Sequence, residues 1–143
     1  MKLINKNTTR ALFASALALL LAACGGESAA PAASVAFNSQ AEEGAASFAS
    51  NCAACHGASL EGTTLVPILS GNSFLQRWGT QTPALLLNNI QANMPPGGND
   101  GISDEDYINI VAHILSSNGV DAITDALTAS TDFEIAGGQR FKS

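Results

Sequence analysis

Charged residues are scarce in this 143-residue sequence, and basic residues are the scarcest of all. Asp, Glu, Lys and Arg make up 13% of the chain, with six basic residues against twelve acidic ones and a formal net charge of −6. No basic run occurs after residue 10, which excludes nucleic-acid binding through a positive patch. The hydrophobic share of 46% excludes a disordered acidic chain. The length favours one domain.

The sequence also lacks an apolar run of about 20 residues, the length that a membrane-spanning helix needs. The apolar stretch 11–21 is shorter, and it follows three basic residues, which is the pattern of a secretion signal. Leu21-Ala22-Ala23-Cys24 then resembles a bacterial lipobox, in which the cysteine receives a lipid. We therefore expect residues 1–23 to be a lipoprotein signal peptide and Cys24 to be the membrane anchor. Removing that segment removes three of the six basic residues and none of the twelve acidic ones, which leaves a net charge of −9.

The composition then divides the rest of the chain. Residues 24–39 are predicted to be a flexible tether, because they are small, polar and interrupted by proline. The predicted domain covers residues 40–143, with a core over 40–119 and a docked tail over 120–143. The tail carries spaced apolar residues that we expect to pack on the domain, namely Ile123, Leu127, Phe133, Ile135 and Phe141.

The local patterns predict helices and no strands. A first helix is expected from Gln40 to about Cys55, followed by a loop over residues 57–78. Thr82-Pro83 is a typical helix start, and that helix must end before Met94 and the two prolines that follow it. Ser103 is predicted to cap a final helix. Its apolar stripe is formed by Tyr107, Ile110, Val111, Ile114 and Leu115.

Cysteine is scarce too, and its arrangement is informative. Of three cysteines, Cys24 is assigned to lipid, which leaves the pair in Cys52-Ala53-Ala54-Cys55-His56. Two thiols one helical turn apart can form thioethers with the two vinyl groups of a haem, and the adjacent histidine then meets the iron. The sequence therefore predicts one covalent haem c, with Cys52 and Cys55 as attachment sites and His56 as an axial ligand.

Two other functions use a similar cysteine pair. A thioredoxin-like dithiol requires a βαβ surround, and no such pattern is present. A zinc site requires about four ligands, and beyond the motif only the distant His113 is available to complete one. Neither alternative has further support in the sequence.

Methionine is scarcer still, and its count bears on the second axial ligand. Met94 is the one methionine after the predicted signal peptide, and it stands before Pro95 and Pro96. A thioether in such a stiff loop is a plausible second iron ligand, and the alternative is a core or surface methionine. His113 shares a polar helix side with Asp106, Asn109 and Ser117. We therefore expect it to be partly exposed and not an iron ligand.

The sequence resembles the class I c-type cytochromes over residues 40–119. The resemblance is carried by Cys52-Ala53-Ala54-Cys55-His56-Gly57, by Pro67-x-Leu69-x-Gly71, by Asn93-Met94-Pro95-Pro96-Gly97 and by the helix near Tyr107. It implies an all-α cytochrome c fold of about three to five helices packed around the haem. The first and last helices would cross at Gly44 and Phe48, the Pro67 carbonyl would accept a hydrogen bond from His56 Nδ1, and Leu69 would border the haem.

A narrower resemblance, through Arg77-Trp78-Gly79 and the Met94 loop, is to small cytochromes associated with quinoprotein dehydrogenases. Arg77 and Trp78 carry N–H donors suited to haem propionates, and the alternatives are a solvated arginine and a core tryptophan.

Together these features predict an extracytoplasmic electron carrier with His/Met ligation. We expect it to contact redox proteins with basic docking surfaces and, through its lipid, a membrane. No contact with nucleic acid is expected. The alternatives are a haem-based ligand-binding or peroxidase-like protein, and a dedicated electron-transfer subunit of a periplasmic dehydrogenase. The lipid is expected to hold the protein in the inner or the outer membrane, facing the periplasm, or at the cell surface.

Overall fold

The computed structural model describes residues 32–98, 101–120 and 125–138, and helices joined by loops make up these segments. No strand occurs among them, so the predicted all-α class is confirmed. No helix in these segments combines the length and the apolar composition that crossing a membrane requires. The predicted signal peptide, Cys24, Ile123 and Phe141 lie outside the described residues. The helices are α1 (Ala32–Asn51), α2 (Ala53–His56), α3 (Gly71–Trp78), α4 (Pro83–Asn93), α5 (Asp104–Ser117) and a short 3₁₀ helix (Ile135–Gly138).

Helices α1 and α5 pack against each other extensively, and Gly44 makes this packing possible. A Cβ atom at Gly44 would overlap the carbonyl oxygen of Asn109, so glycine alone allows the two backbones to approach this closely. Phe48 lies one turn further along α1 and is 2% exposed. The expected crossing of the first and last helices at Gly44 and Phe48 is therefore confirmed.

Polar contacts accompany this crossing. The Ser47 hydroxyl donates to the Asp106 carboxylate over 2.8 Å, and the Asn109 side chain donates to Glu43 over 3.0 Å. The half-buried His113 ring lies 5.4 Å from the ring of Phe48. The polar side of α5 therefore faces α1, and it contributes to the helix crossing.

Helix α1 begins earlier than the sequence indicated. It starts at Ala32, and Phe37 is 1% exposed within the hydrophobic core. The prediction of a flexible tether up to residue 39, with the domain starting at residue 40, is therefore wrong for residues 32–39. Small residues with a single aromatic show no clear helical period. The extension is stabilised by burial of Phe37 in the core, which a local pattern does not reveal.

Helix α3 corrects the prediction of a continuous loop over residues 57–78. Phe74 is buried, and Leu75 and Trp78 pack against the core. These side chains stand at helical spacing, but the Gly, Ser and Asn residues before them favour turns. Packing of the apolar side of α3 overrides that local preference.

Helix α4 begins and ends as predicted, and α5 begins as predicted. The Thr82 hydroxyl accepts the Leu85 N–H over 3.3 Å, and α4 ends at Asn93. Ser103 and Asp106 form a reciprocal capping box at the start of α5. The hydrogen bonds from Ser103 and Ser47 hold the pKa of Asp106 below its usual range. All five residues of the predicted apolar stripe are buried.

The described part of the tail packs on the domain, as expected. Leu127 and Ile135 are buried, and the Gln40 side chain bonds both the N–H and the carbonyl of Leu127. The Ala136 N–H donates to the Gly79 carbonyl over 2.8 Å. The tail thereby ties α1 to the turn between α3 and α4.

Candidate haem site

A cavity of about 300 Å³ opens among the helices, and all five α-helices and the loop after α2 contribute to its wall. Its surface is predominantly apolar, as expected for the site of a small-molecule or cofactor ligand. The apolar and aromatic part of the wall is Phe48, Leu65, Val66, Pro67, Ile68, Leu69, Phe74, Trp78, Leu86, Ile90, Met94, Pro95, Pro96, Ile102, Tyr107, Ile110 and Ile114, and the polar part is Asn51, Cys52, Cys55, His56, Arg77 and Asn89.

The cysteine–histidine motif forms one compact turn on the wall of this cavity. Cys52 stands between α1 and α2, and its carbonyl accepts the N–H groups of Cys55 (3.2 Å) and His56 (3.0 Å). Burial, and to a smaller extent the neighbouring Cys55, raises the pKa of the Cys52 thiol. Cys55 is exposed, and His56 is buried. Two thiols and one imidazole therefore reach the same cavity from a single turn.

The orientation of His56 is fixed by Pro67. His56 Nδ1 lies 3.0 Å from the Pro67 carbonyl oxygen, so the hydrogen bond implied by the resemblance is present. A carbonyl oxygen accepts only, so Nδ1 carries the proton and donates it. The lone pair then resides on Nε2, the tautomer that a metal-binding histidine requires.

Glycine at position 62 allows the loop to bring Pro67 to this histidine. The Gly62 N–H donates to the His56 carbonyl over 2.7 Å. Gly62 has a φ of +64°, a left-handed backbone conformation that favours glycine. A Cβ atom at Gly62 would lie 2.6 Å from the Val66 carbonyl oxygen and 2.8 Å from the Pro67 carbonyl carbon. The loop therefore folds back on itself at a point where a larger residue would push Pro67 away.

Asn118 supports the other end of this loop, and sequence reasoning missed it. Its side chain accepts the Gly71 N–H over 2.8 Å and donates to the Leu69 carbonyl over 2.9 Å. Asn118 is 8% exposed. The one local signal is its place just before Gly119, since glycine commonly follows the end of a helix, and that position says nothing of a contact with residues 69–71.

Met94 reaches the cavity from the end of α4. Its N–H donates to the Ile90 carbonyl over 2.8 Å, and its own carbonyl accepts the Tyr107 hydroxyl over 2.7 Å. The structure thus brings Met94 to the same cavity as His56. The contact with Tyr107 was not predicted, because the sequence showed this residue only as part of an apolar stripe.

The remaining candidates divide between this cavity and other surroundings. Leu69, Arg77 and Trp78 line the cavity, and the Arg77 guanidinium carbon lies 5.9 Å from the Trp78 ring. Trp78 is half-buried and also packs against the core. Its place is therefore compatible both with a core residue and with an N–H donor to a haem propionate. His113 is not among the residues of the cavity wall, and its ring lies against Phe48 instead.

The donor set on this wall fits a covalently attached haem. It offers two thiols one turn apart, an oriented imidazole nitrogen and a thioether sulfur, within an apolar surround. The described residues contain no group of three or more His, Cys, Asp and Glu side chains able to hold a metal ion by themselves. Fold and cavity together are those of a small c-type cytochrome.

A comparison with known families agrees with this class. The family described as cytochrome c oxidase, cbb3-type, subunit III matches residues 39–114, which is more than half of the chain. The chain therefore belongs to this family of cytochrome c domains, and it is a c-type cytochrome with covalently bound haem. No solved structure matches the chain.

Proposed function

We propose that this protein is an extracytoplasmic one-electron carrier whose haem iron is held by His56 and Met94. One observation carries the proposal: Met94 lines the same cavity as Cys52, Cys55 and His56, although it lies 38 residues after His56 in the chain. Cytochrome c domains are typically extracytoplasmic, which agrees with the secretion signal expected at the start of the sequence.

The chain's residues favour electron transfer over binding of a substrate. The haem, when bound, supplies an Fe(II)/Fe(III) couple. His56 is held by Pro67 so that Nε2 is available to the iron. Met94 adds a soft sulfur, which raises the reduction potential relative to harder ligands. With His56 and Met94 both holding the iron, no open position on it would remain for a substrate.

Absorption spectra of the purified holoprotein test this ligation. The ferric protein should show the weak far-red band of an iron–thioether bond, and the reduced protein should bind carbon monoxide slowly. Met94→Ala should abolish the band, lower the potential and admit carbon monoxide rapidly. If the natural protein lacks the band and binds carbon monoxide rapidly, the ligand-binding or peroxidase-like function is the better assignment.

Arg77 and Trp78 are the proposed partners of the haem propionates. Within the described segments Arg77 is the single Lys or Arg, against nine Asp and Glu residues, and it lies on the cavity wall. Two anionic propionates would therefore find their cationic partner in this side chain. The Trp78 indole beside it adds a neutral N–H donor.

The acidic surface favours basic partners. The whole chain has a net charge of −6, which becomes −9 when the twenty-three N-terminal residues and their three basic side chains are removed. This negative charge attracts a positively charged redox protein. Rates of electron exchange with a basic partner should therefore fall as ionic strength rises. A rate that is independent of salt would show that charge does not steer the encounter.

The membrane anchor and the identity of the partner are proposals of the same kind. Cys24→Ser should release the protein from the membrane fraction and prevent incorporation of radiolabelled fatty acid. The matched family is named for a subunit of a cytochrome c oxidase, and the narrower resemblance is to cytochromes associated with quinoprotein dehydrogenases. Co-purification with either kind of complex would distinguish a dedicated subunit from a free carrier.

A further inference from the structure

The peptide unit on each side of Met94 is fixed by a different helix. On one side, the Met94 N–H completes the last turn of α4 by donating to the Ile90 carbonyl over 2.8 Å. On the other side, the Met94 carbonyl accepts the Tyr107 hydroxyl over 2.7 Å. Tyr107 belongs to the first half of α5, so this hydrogen bond crosses the loop between the two helices.

Tyr107 is well placed to hold this contact. The residue is 1% exposed, so its ring is fixed by the surrounding core. A phenol in that position is expected to keep its hydrogen bond, because a buried hydroxyl left without a partner is costly. The same side chain forms part of the cavity wall beside Met94. The packing that fixes the Tyr107 ring therefore also restrains the backbone of Met94.

We propose that Tyr107 is a positioning residue that holds the Met94 backbone so that the thioether stays directed at the iron. The proposal rests on the assignment of Met94 as an iron ligand. A methionine side chain has three rotatable bonds, so its direction is only as well defined as the backbone that carries it. Tyr107 therefore determines how readily another ligand displaces Met94, without itself touching the iron.

Tyr107→Phe is the direct test, because it keeps the ring and removes only the hydroxyl. An external ligand binds the ferric iron only when Met94 has left, so its apparent affinity reports the population of the detached state. One hydrogen bond of ordinary strength corresponds to an increase of about two- to tenfold. Imidazole is the probe, and the change in the visible haem spectrum is the readout.

Ser47→Ala is the matched control. The Ser47 hydroxyl bonds Asp106, the residue next to Tyr107, yet Ser47 is not part of the cavity wall. The Ser47→Ala substitution removes one hydrogen bond from the same turn of α5 and leaves the contacts of Met94 intact. We expect Ser47→Ala to leave imidazole affinity unchanged. An equal rise in both variants would mean a general loosening of α5 and would overturn the proposal.

Met94→Ala separates this inference from the assignment on which it rests. If Met94→Ala raises imidazole affinity strongly while Tyr107→Phe leaves it at the natural value, Met94 is the ligand and the positioning role is refuted. If Met94→Ala itself has no effect, the assignment of Met94 fails, and the inference falls with it.

The single tyrosine of the chain permits a second measurement on the unmutated sequence. Growth with 3-fluorotyrosine alters Tyr107 alone and makes its hydroxyl a stronger donor. Imidazole affinity should then be equal to or lower than that of the natural protein, whereas Tyr107→Phe should raise it. A rise toward the value of the phenylalanine variant would contradict a role for the hydrogen bond.

Discussion

Replacing Gly44 by alanine adds one methyl group at the point where α1 crosses α5. The added carbon would overlap the carbonyl of Asn109, and it would lie 3.0 Å from the Ile110 nitrogen. These are backbone atoms in the interior of a helix, so they cannot rotate away as a flexible side chain would. The crossing must open for the methyl group to fit.

Two opposing effects determine the free energy of unfolding of Gly44→Ala. Alanine is better than glycine inside a helix by about 1 kcal/mol. Overpacking costs about 1 to 3 kcal/mol, and we expect the upper end because backbone atoms are involved. The net expectation is a loss of about 2 kcal/mol, or a melting temperature lower by roughly 8 to 16 °C for a domain of this size.

Thermal unfolding of the holoprotein, followed by circular dichroism, measures this difference. Ala46→Gly is the matched control, because Ala46 lies on the exposed side of the same helix and reports the helix preference alone. If the two backbones were not in contact, Gly44→Ala would gain about the amount that Ala46→Gly loses. A Gly44→Ala protein as stable as the natural one would refute the reasoning.

Two further predictions concern charge. Burial lowers the pKa of His113 below its ordinary value of 6.5 and outweighs the hydrogen bond with the Ala41 backbone, which raises it. The folded state therefore favours the neutral ring. The protein should lose stability as the pH falls below 6.5, because the unfolded chain then binds the proton more readily than the folded one. In His113→Phe the melting temperature should fall less than in the natural protein between about pH 7 and pH 5, and identical profiles would exclude His113 as the source. Arg77→Gln should lower the reduction potential by roughly tens of millivolts, because loss of a nearby positive charge favours the ferric state, while Arg77→Lys should largely preserve it. An unchanged potential in Arg77→Gln would place this charge away from the haem.

Elements with chemical signals at their ends could be predicted from the sequence. Thr82 and Ser103 each supply an oxygen to the first turn of a helix, and this preference depends only on neighbouring residues. The beginning of α1 lacks such a signal, and its position depends on the burial of Phe37. Helix α3 depends similarly on Phe74, which packs against residues far away in the chain.

The same distinction, between local signals and contacts with distant residues, explains which parts of the site were predictable. The thiols and His56 belong to one turn, and their spacing alone defines the chemistry they can perform. Met94 could be proposed as the second iron ligand because no other methionine follows the predicted signal peptide. Local caps then determine where it lies, since α4 ends just before it and α5 starts at Asp104. The direction of its backbone depends on Tyr107, whose hydroxyl meets Met94 only after α4 and α5 have packed together. Spacing and residue counts therefore select the candidate haem ligands, whereas the contacts that hold those side chains in place arise from the tertiary fold.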